Sequence, residues 1–69
     1  MEDIYKLIDD INLQKIENLD SRVNEALSSN NDDALFILGE TLYNFGLTPQ
    51  GLEVFRTLYH KYPCLLYTS

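Results

Sequence analysis

The chain has 69 residues, a formal net charge of −6 and 45% hydrophobic residues, with aromatics at 12%. That length allows one small domain near the size at which a core is only marginally sufficient, and the apolar content argues against a disordered acidic chain. An acidic balance repels phosphate backbones, so no nucleic-acid partner is expected, and no run approaches the ~20 apolar residues of a membrane span.

The start, Met1-Glu2-Asp3, is acidic and lacks the apolar region of a signal peptide, which reads as cytoplasmic. Ile4, Leu7, Ile8 and Ile11 then form one helical face, and Asp10-Ile11-Asn12 breaks its phase. A second face follows through Ile16, Leu19, Val23, Ala26 and Leu27. The pattern predicts helices over 2–10 and 13–29, forming a hairpin; one bent helix from Glu2 to Ser29 is the alternative. Ser28-Ser29-Asn30-Asn31 is a polar linker in which Asn30 or Asn31 caps the next helix, with Asp32 and Asp33 in its first turn.

Leu35, Leu38, Leu42 and Phe45 recur at steps of three and four, predicting a third helix over 32–45. Phe36, Ile37 and Tyr43 widen its apolar surface beyond one stripe. Gly39 inside this helix is unfavourable by ~1 kcal/mol relative to Ala, a cost that close packing of a neighbouring helix would offset. Gly46 suits the left-handed position after a helix end, Thr48 is a candidate cap and Pro49 fits a first turn. The fourth helix is expected over 49–62. It carries Gly51, then Leu52, Phe55, Tyr59 and Tyr62 on one face with Val54 and Leu58 beside it, and Pro63 stops it. One of its faces lacks a partner within the chain.

Leu35, Leu38-Gly39, Leu42, Gly51, Phe55 and Pro63 stand in the order and spacing of a known signature. The stretch resembles the tetratricopeptide repeat (TPR) family of the bacterial cytoplasmic type, whose pattern runs aromatic, Leu-Gly, Tyr, small, Phe and Pro across ~34 residues. Leu35, Leu42 and Leu58 depart from the family's aromatic, tyrosine and second small residue. The resemblance covers one repeat, residues 32–63, and residues 1–31 read as a degenerate repeat or cap. It implies an all-α fold: antiparallel hairpins stacked as the start of a solenoid, with further repeats downstream. A generic helical hairpin is the plainer reading. The final Cys64-Leu65-Leu66-Tyr67-Thr68-Ser69 resembles a translated sequencing adapter, so residues 64–69 are expected to be a non-native tail on an N-terminal fragment. A natural strand or helix start is the alternative.

Catalytic and metal constellations find little footing. Asp9-Asp10 and Asp32-Asp33 lie at expected helix ends with no partner base. Asp10, Asn12 and Gln14 depart from a calcium loop, since Lys15 replaces its glycine and Ser21 its closing glutamate. His60 and Cys64 are separated by Pro63, and the glycines are dispersed. The expectation is a non-enzyme with no cofactor and no metal, acting as a scaffold that binds a protein or peptide. Self-association, or service as a helical appendage of a larger enzyme, are the alternatives. By resemblance, the binding strip would be Asp33, Phe36, Glu40, Tyr43 and Asn44, suited to a segment with Lys or Arg beside an apolar anchor. The competing expectation is that Phe36 and Tyr43 pack on the preceding hairpin.

Overall fold

A computed structural model describes residues 3–62, which form four α-helices and, among those residues, no strand. They are α1 (Ile4–Asn12), α2 (Leu19–Ala26), α3 (Asp32–Asn44) and α4 (Thr48–Lys61). Pro63 and the 64–69 tail lie outside the described residues.

α1 begins where the Asp3 carboxylate accepts from the amides of Tyr5 and Lys6, at 3.0 and 3.5 Å. Such a cap stabilises a helix by ~1 kcal/mol. All four residues of its apolar face, Ile4, Leu7, Ile8 and Ile11, are buried. The helix ends in paired hydrogen bonds, from Gln14 N to Ile11 O at 2.9 Å and from Lys15 N to Asp10 O at 2.7 Å. This is the Schellman arrangement, which needs a left-handed residue after the cap; Gln14 supplies it at φ 63°.

The second helix differs from the expected 13–29. It starts at Leu19, because Asn18 is also left-handed, at φ 55°, and no helix runs through either position. Residues 13–18 are therefore a turn, and the single bent helix is excluded. Ile16, read as part of the apolar face, is 44% exposed, while Leu19, Val23 and Ala26 are buried. An ion pair from Arg22 to Asp10, 2.9 Å long, joins α2 to α1. Partly exposed pairs of this kind contribute about 0.2–1 kcal/mol. One buried leucine or isoleucine contributes ~1.5–3 kcal/mol, so the pair orients α2 and the apolar face holds it.

α3 is the central helix. It packs on α4 most extensively and on α1 next, while α2 touches α4. Asn31 caps it, accepting from Ala34 N at 3.2 Å. Ala34, Leu35, Leu38 and Leu42 are wholly buried. The one buried polar side chain among the described residues, Thr41, donates to Ile37 O at 2.8 Å. Phe45, expected on the buried face, is 40% exposed because it is the C-cap, where the chain leaves the helical path. Gly46, at φ 76°, closes a second Schellman turn with Leu47 bonded to Leu42 O. Thr48 does not cap α4. Leu47 occupies that place with no side-chain hydrogen bond, and Pro49 sits in the first turn.

α4 buries Gly51, Val54 and Leu58, so the stripe expected beside its main face is the core contact. The stripe with Leu52, Tyr59 and Tyr62 remains exposed. The antiparallel crossing is set by glycine. A Cβ on Gly39 would stand 2.8 Å from the Phe55 ring; one on Gly51 would stand 3.0 Å from the Tyr43 ring and 3.4 Å from Gly39 O. Gly39→Leu should force Phe55 out and wedge the helices apart, an overpacking cost of order 1–3 kcal/mol. Urea unfolding tests it, and an unchanged midpoint would show that the crossing does not depend on Gly39.

The far ends of α3 and α4 are clasped. Asp32 accepts from the Tyr62 hydroxyl and from Lys61 Nζ, the latter at 3.3 Å, and Lys61 also donates to Ser29 O at 3.2 Å. The Tyr62 hydrogen bond, with help from Lys61, holds the Asp32 carboxyl below its ordinary 3.8 against a smaller opposing effect of desolvation. The same bond raises the Tyr62 phenol above 10.0. A lowered acid stabilises the fold above its unfolded pKa and loses that contribution as pH falls through the folded one; a raised phenol stabilises below its unfolded pKa and loses it as pH rises. The stability difference between wild type and Tyr62→Phe should therefore be level near neutrality and shrink below about pH 4 and above about pH 10. Urea midpoints across pH measure it, and a difference constant at both extremes would contradict the clasp.

Candidate functional site

The exposed residues of α3, with Ile37 at its margin, form a continuous outer strip. Asp33, Phe36, Glu40, Tyr43 and Asn44 are all exposed. Their spacing of three, four, three and one residues keeps them on one side of a helix with 3.6 residues per turn. Phe36 is 49% exposed and Tyr43 39%, so neither is swallowed by the preceding helices. The alternative of rings buried against 13–29 is excluded. Asp32 and Asp33 part company: Asp32 turns to the clasp with α4, and Asp33 stays in solvent.

Half of the aromatic surface comes from α4. Phe55 lies against Gly39 and meets three other rings: Phe36 edge-on at 5.7 Å, Tyr43 tilted at 5.5 Å and Tyr59 stacked at 6.3 Å. Periodicity places Phe55 between the helices but does not show that rings from both would gather around it. The signal was present in the two glycines, since a neighbour without a side chain is what lets the tip of a ring reach the backbone. Beside the cluster, Leu52 is 47% exposed. Glu40 lies one helical step beyond Phe36 and Tyr43, so the strip joins a carboxylate to an apolar, π-rich surface.

Such a surface can hold a cation by ion pairing and cation–π attraction, and an apolar side chain by burial. It contains no nucleophile–base pair. Among the described residues no group of three or more His, Cys, Asp or Glu is placed to hold a metal ion, and no helix is long and apolar enough to cross a membrane. His60 is exposed, and Cys64 lies outside the described residues. A separate pocket of about 320 Å³ lies at the turn end of the bundle, lined by Ile11, Gln14, Ile16, Phe45 and Leu47. The apolar side chains that were expected in helical faces there, Ile16 and Phe45, form its walls instead.

Comparison with family models, with curated proteins and with solved structures finds no match to this chain.

Phe55 is the hub through which the strip is held. Each aromatic pair contributes about 0.5–1.5 kcal/mol beyond area burial, so losing all three in Phe55→Leu should cost roughly 1.5–4.5 kcal/mol while keeping most of the bulk. It should also weaken the tyrosine near-UV circular dichroism, because Tyr43 and Tyr59 lose their fixed neighbour. A near-UV spectrum identical to wild type would show that Phe55 does not order them.

Proposed function

We propose that this chain is a TPR-like interaction module that binds a protein segment carrying Lys or Arg next to an apolar anchor, through the outer strip of α3. The observation that carries the reading is the exposure of Phe36 and Tyr43 on either side of Glu40, on a helix whose opposite side is wholly buried. Monomeric proteins leave single apolar residues in solvent, but contiguous aromatic patches on a rigid support mark contact surfaces. The support here is the crossing at Gly39 and Gly51, which fixes the rings before a ligand arrives and so lowers the ordering cost of binding.

The layering favours the solenoid form of this proposal. α1 lies on α3, α2 touches α4 and is tied to α1 by the Arg22–Asp10 ion pair, and the small residues of the repeat signature meet at the helix crossing. On this reading residues 32–63 are the repeat and residues 1–31 its degenerate predecessor or cap. The module acts by holding a partner and carries out no reaction.

Charge sets the direction of specificity. The strip offers Asp33 and Glu40 and no Lys or Arg, so an acidic peptide is repelled and a basic one attracted. On a peptide array, wild type should prefer basic segments with an aromatic or aliphatic neighbour, and Glu40→Lys should reduce that binding about tenfold. Tyr43→Ala should reduce it as well, by removing a ring face. A basic preference that survives Glu40→Lys unchanged would sink the proposal.

A further inference from the structure

We propose that two copies of this chain pair through the aromatic edge of the α3/α4 hairpin, about a two-fold axis parallel to those helices. The edge consists of Phe36 and Tyr43 from α3 with Leu52, Phe55 and Tyr59 from α4; Phe55 is half-buried and the others are exposed. No described residue covers it.

The rest of the surface points to a second copy as the occupant. On the opposite side of the molecule, the outward positions of α1 and α2 include Lys6, Asp9, Ser21 and Glu25, all exposed. A head-to-tail contact would press carboxylates onto aromatic rings and strip them of water without a partner. Pairing the edge with itself avoids this and closes at two copies. Charge distribution agrees. Of the eleven acidic residues nine lie in 1–33, while residues 34–69 hold two acids and two bases. An edge-to-edge pair brings the neutral halves together and, Asp33 on the rim apart, keeps the exposed acidic residues of α1 and α2 away from the contact.

The same charges choose the axis. Stepping outward around each helix, Glu40 follows Phe36 and Tyr43 on α3, and Arg56 follows Leu52 and Tyr59 on α4. The edge therefore has an acidic rim along α3 and, along α4, a rim on which the Arg56 cation stands one turn from the Glu53 carboxylate. Asp33 extends the acidic one, and His60 stands beside Arg56. The approach of Gly51 to the Gly39 carbonyl puts Glu40 near the level of Gln50, six residues from Arg56, and because helical side chains lean toward their own N-termini the heads of Glu40 and Arg56 are brought toward one level in antiparallel helices. An axis parallel to the helices lays α3 of each copy over α4 of the other at the same level, so Glu40 of one meets Arg56 of the other, twice. An axis across the helices would set acidic rim on acidic rim. The contact Arg56 makes within its own chain, to Glu53 at 3.9 Å, joins two exposed side chains and is too long to fix it there.

This pairing is independent of the peptide-binding reading and is tested without any peptide, although it would cover Phe36 and Tyr43 and so compete with one. The experiment is sedimentation equilibrium of the chain across a concentration series, with helical circular dichroism confirming that each variant is folded. Wild type should move from monomer to dimer, with no larger species. Glu40→Arg and Arg56→Glu should each raise the dissociation constant on the order of tenfold or more, because each places like charges at both rim contacts. An equimolar mixture of the two variants should regain the wild-type constant, since each contact then pairs opposite charges. Leu52→Lys, which puts a charge inside the apolar edge, should abolish pairing. A wild-type chain that stays monomeric at the highest concentration overturns the proposal. Dimers insensitive to the rim reversals, or a mixture no tighter than its components, overturn it equally.

Discussion

The close approach of α3 and α4 at Gly39 and Gly51 is the constraint on which the rest of the molecule depends. Two glycines in helix interiors are each unfavourable by roughly 0.8–1.0 kcal/mol in propensity. What they permit is contact between the backbones: a methyl group added to Gly51 would already stand 3.4 Å from Gly39 O. With the helices so near, the space between them cannot hold large side chains. Leu35, Leu38 and Leu42 point below the crossing to meet Val54 and Leu58, and the rings are displaced to the opposite edge. Core and aromatic surface are thus two results of one approach distance.

That division matters for what a small chain can do. A domain of this size buries few apolar residues, and here the buried set is almost entirely aliphatic. No aromatic among the described residues belongs to it. Aromatic area, the most effective material for both cores and contacts, has been left on the outside of the most tightly packed part of the fold. Rigid support beneath and apolar rings above is the combination that lets a contact surface exist without collapsing inward.

Much of this was legible in residue order, for reasons that can be named. α3 and α4 announce themselves because their apolar spacing, glycines, Gly46 turn and Pro49 all act locally and agree with one another. The strip from Asp33 to Asn44 was legible as helical geometry. Its exposure was not, because whether Phe36 is covered depends on where α1 and α2 pack. The region from Leu13 to Asn18 misleads for a different reason. Leu13 and Ile16 continue a helical spacing, yet Gln14 and Asn18 adopt left-handed conformations that no glycine flags. At Gln14 the paired hydrogen bonds at the end of α1 outweigh a conformational preference of about 1–2 kcal/mol, whereas Asn18 is of a residue type that takes up this conformation readily; only the folded context reveals either.

Those two positions also bear on the chain before it folds. Had the turn been made with glycine, the unfolded ensemble would roam more of backbone space, and fixing it would cost more entropy. Gln14 transfers part of that cost into the native state as local strain, Asn18 takes the conformation with less, and both leave the denatured turn with fewer conformations to search. The segment that joins α1 to α2 is short, so its closure demands little additional entropy. The α1–α2 turn is therefore a comparatively stiff link between two helices that pack on α3 and α4 more than on each other, whereas the α3–α4 half turns on the freer Gly46 and relies on its tight crossing to recover the difference.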